Sequence, residues 1–304
     1  MVSPLRYYIL RVAAAPLYFA GVHVEDLRRT PVPELQRLYV DECRDLPGGG
    51  LTALKADPRA GARAIAEKIE RRNHKAQAEG RRLWRLCAFE LPLWEQGITL
   101  VAGCDEVGMA PLAGPVIAAA VILPPGTRIK GVNDSKLLTP EERDALEPEI
   151  RACALAVGIG RAEVEEIDTV NIYRAGLLAL KRAVLALIPQ PQHLLIDARK
   201  LDGLSMPQQP IIKGDAKSIT IGAASIVAKV HRDRLMAQLD GEYPGYGFAD
   251  HKGYPTPEHL DALERLGACV LHRRSFAPVA KKLGLIPVQQ DLFAAPKKRA
   301  GEAR

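Results

Sequence analysis

The sequence predicts an α/β protein with a mixed central sheet flanked by helices. Three observations carry this expectation. Apolar runs of strand length recur from residue 98 onward. Segments with helical spacing alternate with them. The first two runs, "ITLVAGCDE" and "GPVIAAAVILP", are separated by a Gly/Pro loop in the manner of hairpin-connected strands. Of the 304 residues 47% are apolar but only 5% aromatic, so the core must be built mainly from Ala, Leu, Val and Ile.

Each element follows from its own residues. "ALAVGIGRA" reads as a third strand. "TPEERDALEPEI" is helical, with Thr139 as cap, Pro140 at the first position, and Glu141 and Glu142 in the first turn, where the helix dipole favours acids. "DTVNIYRAGLLALKRAVLALI" is a longer amphipathic helix broken by "PQPQ". "HLLID" and "QPIIKGD" read as strands, and "AASIVAKVHRDRLMAQL" has helical spacing. Upstream, in "DPRAGARAIAEKIERRNHKAQAEG", Asp57 is placed to cap a helix, Pro58 to begin it and Gly80 to end it. Ile65, Ile69 and Ala76 give that helix a thin apolar stripe. The opening stretch "MVSPLRYYILRVAAAPLYFAGV" is split by Arg11 and interrupted by Pro16, so a buried strand or irregular extension fits it better than a signal peptide. The chain thus divides into an N-terminal extension with a basic helical segment (1–97), an α/β domain (98–285) and a flexible tail (286–304).

Charge and cysteine usage narrow the function. The net charge is +6, and between Lys55 and Arg85 there are 10 Lys/Arg against 4 Asp/Glu, so the whole positive excess lies in that segment. It is either a solvated helical face or a contact for nucleic-acid phosphates. Five cysteines are scattered without a C-x-x-C pair, which argues against a zinc site or disulfide framework and for the cytoplasm. No run reaches membrane-spanning length, and nothing demands a partner subunit, so a monomer is expected.

Four acids stand at strand ends. Asp105 and Glu106 close the first run, Asp197 closes "HLLID", and Asp215 closes "PIIKGD". Adjacent side chains on a strand face opposite sides, so Asp105 and Glu106 share a ligand only if the strand stops there. A lone Asp-Glu before Gly is an ordinary turn. Three strand ends with four carboxylates form a cluster at the edge where open α/β sheets place their sites. Such carboxylates repel one another and take up protons unless cations offset them. Oxygen ligands without a His or Cys cluster select Mg²⁺ or Mn²⁺. Two such ions, about 3.5–4 Å apart, suit phosphodiester hydrolysis. Lys136 follows the second strand. Ser225, Lys229 and Arg232 form one polar stripe on a helix. Tyr254, between Gly253 and Pro255, offers a ring to a sugar or base, and Arg273 and Arg274 suit phosphate or surface salt bridges.

In order and spacing, "GCDEVG", "GPVIAAAVILP", "NDSK", "LLIDARK", "KGDAKS", "AASIVAKVHRDR", "YGFADHKGYPT" and "HRRSF" resemble bacterial ribonuclease HII over roughly residues 98–285. The resemblance implies a ribonuclease H-like fold with a C-terminal helical extension, and the basic segment is similar to helical N-terminal extensions of some members. It implies cleavage of the RNA strand of RNA–DNA hybrids, and of the bond 5′ to ribonucleotides embedded in DNA, leaving 5′-phosphate and 3′-hydroxyl ends. Asp105, Glu106, Asp197 and Asp215 then become catalytic ligands of two divalent ions, and Tyr254 a sugar-stacking ring. Ser135, Lys136, Ser225 and Lys229 become backbone contacts.

One departure matters. Where the family usually reads Gly-Arg-Gly, this chain has Gly108, Met109 and Ala110. A phosphate donor is lost and a Cβ is added where backbone approaches a sugar. The expectation is hydrolysis retained on longer hybrids with a weakened preference for a single embedded ribonucleotide. A non-catalytic hybrid-binding protein is the alternative of another class, but pure binding gains nothing from clustered negative charge beside a phosphate chain. A DNA-acting metal nuclease on the same fold fits the Tyr254 motif and the block order less well. In the tail, "VQQDLF" resembles the short motif that docks in the bacterial sliding clamp, with Leu292 and Phe293 as apolar anchors and Gln289 and Asp291 as polar guides.

Overall fold

A computed structural model describes residues 23–286. The opening apolar stretch and the "VQQDLF" motif lie outside the described residues. Among the described residues five α-helices come first: α1 (Val24–Arg29), α2 (Val32–Gln36), which runs on into a π-helical turn (Arg37–Asp41), α3 (Gly50–Lys55), α4 (Ala60–Leu86) and α5 (Glu90–Glu95). Leu27, Leu35, Tyr39 and Leu54 bury themselves against Ala62, Ile65, Ala66 and Ile69 at the start of α4, making a small separate core. The other end of α4 enters the main core through Leu83 and Leu86. The 27-residue helix therefore bridges two cores, and its apolar stripe is interrupted: Ala76 is exposed.

Three expectations about this helix are corrected. Asp57 does not cap it and Pro58 does not begin it, because Arg59 holds the cap position and Ala60 is the first helical residue. The Asp57 carboxylate takes the Arg59 backbone N–H and guanidinium, both at 2.9 Å, and this pairing holds the acid down at about 2. Gly80 does not end it either. The helix runs on to Leu86 because the second core holds it. Much of the basic run is structural: Lys55 pairs with Glu70, Arg82 with Glu79, and Arg72 donates to the Tyr39 carbonyl.

The α/β part is built on five strands: β1 (Val101–Val107), β2 (Val116–Ile122), β3 (Ala156–Ala162), β4 (His193–Asp197) and β5 (Gln208–Ile211). Their order is β3-β2-β1-β4-β5, with β1, β2 and β3 antiparallel neighbours and β4 and β5 added in parallel. Helices α6 (Pro140–Cys153), α7 (Val164–Val170) and α8 (Ile172–Leu185) lie between strands, and α9 (Ile219–Glu242) follows β5. Strand periodicity sorts the core into two layers. Ile117, Ala119, Val121 and Leu195 pack with Ile219–Val230 of α9. Ala118, Ala120, Ile122, Leu194 and Ile196 pack with Ala175–Val184 of α8. Small residues let α9 lie very close. A Cβ on Gly103 of β1 would stand 2.1 Å from the Thr220 backbone. Three short helices follow: α10 (Phe248–His251), α11 (Pro257–Leu266) and α12 (Ala277–Lys282).

Three sequence boundaries move. The long amphipathic helix is two, α7 and α8, separated at Asn171 with φ 73°, whose side chain accepts the Arg174 N–H at 3.1 Å. Strand β5 stops at Ile211, and Asp215 sits in a 3₁₀ turn, Gly214–Ala216, reached through Lys213 in left-handed conformation. Strand β1 does not end at its acid pair but continues to Val107.

Candidate active site

Because β1 continues, Asp105 and Glu106 leave it on opposite faces. Asp105 meets Ser225 of α9. Glu106 lies on the α8 side, where a Cβ on Gly176 would come within 4.0 Å of its Cγ. The parallel register pairs Cys104 with Ile196, so the next residues along, Asp105 and Asp197, emerge side by side. The Asp197 carboxylate accepts the Gly214 N–H at 2.7 Å and so tethers the turn that carries Asp215. The strand does not stop at the acid pair, as a shared ligand is expected to require, yet Asp105 feels the charges of Glu106, Asp197 and Asp215, so three chain segments still bring the four acids to one sheet edge.

The electrostatics follow from this crowding. Burial, then the charge of Glu106, pushes Asp105 well above the ordinary carboxylate range. Burial also raises Glu106, opposed by Arg199, whose Nε donates to Glu106 Oε1 at 2.9 Å. Asp215 is raised by burial and by Asp134 and Asp197. Glu106 Oε2 is buried without a partner. Among the described residues no group of three or more His, Cys, Asp or Glu side chains is drawn together closely enough to hold one metal ion. Buried, oxygen-only, mutually repelling and partly unpartnered, the acids fit hard divalent cations.

The surrounding residues are placed as follows. Ser135 and Ser225 are buried with their hydroxyls 2.9 Å apart. Lys136 Nζ lies 3.8 Å from Asp215 Oδ2. Lys229 donates to Asp233 at 2.7 Å and its Nζ stands 5.9 Å from the centre of the Tyr254 ring. Tyr254 is held through its backbone: its N–H donates to the His251 carbonyl, and its own carbonyl accepts from His259 Nδ1, both at 2.9 Å. That bond fixes the tautomers. His259 Nε2 must accept from His272 Nε2 at 3.1 Å, and His272 Nδ1 accepts the Cys269 N–H at 3.1 Å. Burial, then His259, pushes His272 down to about 4, so the relay stays uncharged at neutral pH.

The turn after β1 departs from expectation. Gly108 takes φ 92°, whereas Met109 and Ala110 do not use the left-handed region. The Met109 side chain packs toward Gly176 of α8, and Ala110 is exposed. Two arginines read as surface cations are instead fully buried. Arg232 donates to the carbonyls of Ala113, Pro115 and Lys252. Arg273 donates to those of Gly108, Met109 and Gly114. Together they satisfy carbonyls of a turn that is otherwise tied by a bridge between Ala113 and His272 and by the Leu112 and Gly114 N–H groups, which donate to the Gly253 and Leu271 carbonyls. Arg274 contributes only its backbone N–H, to Asp168 at 2.9 Å. Sequence reasoning missed Arg199 altogether; its only signal is its place two residues after a strand-end acid.

Antiparallel β1, β2 and β3, extended in parallel by β4 and β5, with helices on both faces and carboxylates where β1 and β4 end, define the ribonuclease H-like class of fold. Comparison with known proteins gives the particular family. The family model for ribonuclease HII matches residues 102–279, and that for the ribonuclease HII N-terminal domain matches residues 41–94. The ribonuclease HII of Anaeromyxobacter sp. (strain Fw109-5) is 58% identical over 278 residues, 91% of this chain and 88% of its own. That of Myxococcus xanthus (strain DK1622) is 54% identical over 285 residues, 91% of this chain and 97% of its own. The crystal structure of the ribonuclease H2 from Pyrococcus horikoshii OT3 superposes with TM-score 0.52 at 25% identity, covering 61% of this chain and 97% of that one. The chain belongs to the ribonuclease HII family, and it is an endonuclease acting on RNA–DNA hybrids. Similarity also extends upstream of the motif-bearing region, over the 27-residue α4 and its basic run.

Proposed function

We propose that Asp105, Glu106, Asp197 and Asp215 hold two divalent ions, Mg²⁺ or Mn²⁺, and that the enzyme hydrolyses the RNA strand to 5′-phosphate and 3′-hydroxyl ends. When bound, the ions activate water and neutralise charge developing on the phosphate. The protein's own residues do the rest. Asp197 orders the Asp215 turn through the Gly214 N–H. Ser225 steadies Asp105 and Ser135. Lys136 is exposed and available to backbone phosphates, whereas Lys229 reaches them only by leaving Asp233. Tyr254, held from behind by His259, offers its ring to a sugar. The observation that carries this reading is crowding that Arg199 and Lys136 only partly relieve: three of the four acids are raised by burial, and each of these feels the charge of at least one of the others.

Two labelled duplexes test it, one with an RNA tract and one with a lone ribonucleotide. The wild type cuts both and favours the tract, because the turn at Gly108–Ala110 presents no cationic side chain to the junction. Asp105→Asn loses at least ~100-fold in cleavage while binding hybrid nearly as well, since it removes a transition-state role rather than a binding one. A variant that cuts normally overturns the assignment.

Among the described residues no helix is long and apolar enough to cross a membrane. Action as a cytoplasmic monomer is part of the same proposal. So is docking of Gln289, Asp291, Leu292 and Phe293 on a sliding clamp. Deleting residues 288–304 is expected to abolish clamp capture with the cleavage rate intact, and undiminished capture contradicts it.

A further inference from the structure

The N-terminal helices touch the loops beside the acids at defined points. Glu79, near the far end of α4, is gripped by Arg82 at 2.7 and 2.8 Å and accepts the backbone N–H of Gly131 at 3.1 Å. Farther along the same helix, the Arg128 guanidinium lies 4.1 Å from the ring centroid of Trp84. Ile129, between these two contacts, and Val132, just past them, are buried in the cluster that holds Leu83 and Leu86. The clamped segment runs straight into Ser135, whose hydroxyl meets Ser225, and Lys136, whose ammonium group reaches Asp215. A second tie lies next door. Glu90 of α5, fully buried, accepts from the hydroxyls of Ser218 and Thr220 and from the Thr220 N–H at the start of α9, just after Asp215.

The 128–134 stretch belongs to no strand or helix, and its own domain holds it by side-chain packing, Gly131 beside Leu146 of α6 and Val132 against Gly222 of α9. Segments of that kind open at little cost, and a lysine on a mobile loop loses affinity to the entropy of ordering it. We infer that the C-terminal end of α4 is a positioning element of the active site: Glu79 and Trp84 set the 128–136 loop, and with it Ser135 and Lys136, against the acid cluster. The role rests on the reading that Lys136 meets the substrate backbone. The N-terminal region is thereby a working part of the hybrid-binding surface, even though its own side chains need not touch nucleic acid.

The test is the Kd for an RNA–DNA hybrid in buffer without divalent ions, measured on the full chain carrying Glu79→Gln, Trp84→Leu, Lys136→Ala and the double change Glu79→Gln/Lys136→Ala, each checked for unaltered far-UV circular dichroism. Removing a negative charge by itself tightens binding to a polyanion. Loss of positioning weakens it, so the two effects have opposite signs. Glu79→Gln and Trp84→Leu are expected to weaken binding ~3–10-fold, and the double variant to match Lys136→Ala within ~2-fold, because both changes act through one contact. Multiplying defects in the double variant overturn the inference. So do normal Glu79→Gln and Trp84→Leu proteins beside a defective Lys136→Ala. A normal Lys136→Ala protein removes the substrate-contact reading itself, and the inference with it. Trp84→Leu decides the matter should Glu79→Gln fail to fold.

Discussion

Gly108 is the residue on which the turn after β1 depends. Its φ of 92° is a conformation side-chain-bearing residues rarely adopt, and a Cβ there would stand 2.4 Å from Arg232 Nε and 3.0 Å from the Pro115 carbonyl. Gly108→Ala is expected to cost at least ~2 kcal/mol, from backbone strain plus displacement of a buried guanidinium. Urea unfolding reads this directly, and an unchanged midpoint contradicts it. Residue types at the site were legible. Asp105, Glu106, Asp197 and Tyr254 could be singled out because an acid at a strand end, or a ring between Gly and Pro, is a local pattern. The roles of Arg232 and Arg273 were not legible. Helical spacing tells which face a side chain takes, but the orphan carbonyls of Gly108, Ala113 and Gly114 that need those donors appear only once the loop is folded.

At the scale of elements, helix α6 shows how much local chemistry can fix. Thr139 and Glu142 form a reciprocal capping box and Pro140 begins the helix, as their spacing implies. Helix α4 shows the limit. Its true length depends on two cores that the sequence reading could not see together, so Gly80, a natural stop signal, lies inside it. There the glycine serves no close approach, since a Cβ would meet nothing within 4 Å. Gly80→Ala is therefore expected to stabilise the protein by ~0.5–1 kcal/mol, the usual difference in a helix interior. A fall in thermal midpoint would show that Gly80 has a use this geometry does not contain. The error over Asp215 has a related origin: "PIIKGD" looks like an apolar strand running into an acid, but Lys213 and Gly214 turn the chain after Ile211.

Across the whole molecule, the sheet stores an electrostatic cost at one edge and the loops around it are braced from both sides. Asp105, Glu106 and Asp215 all have raised pKa values, so the folded chain binds more protons than the unfolded one above the ordinary carboxylate range. Their contribution to stability is present at low pH and is lost as pH rises from that range through the raised values. At neutral pH, without cations, the cluster therefore opposes folding, and ions bound there remove the opposition. The most direct measurement is the thermal midpoint at pH 7.5 of wild type and Asp105→Asn, each without divalent ions and with Mn²⁺ near 100 times its Kd. The account expects the metal-free variant to melt above the metal-free wild type. It expects Mn²⁺ to raise the wild type by about 5 °C or more, as binding of that strength implies, and the variant by less than half as much. A wild type indifferent to Mn²⁺, or a variant that gains as much as the wild type, would contradict it.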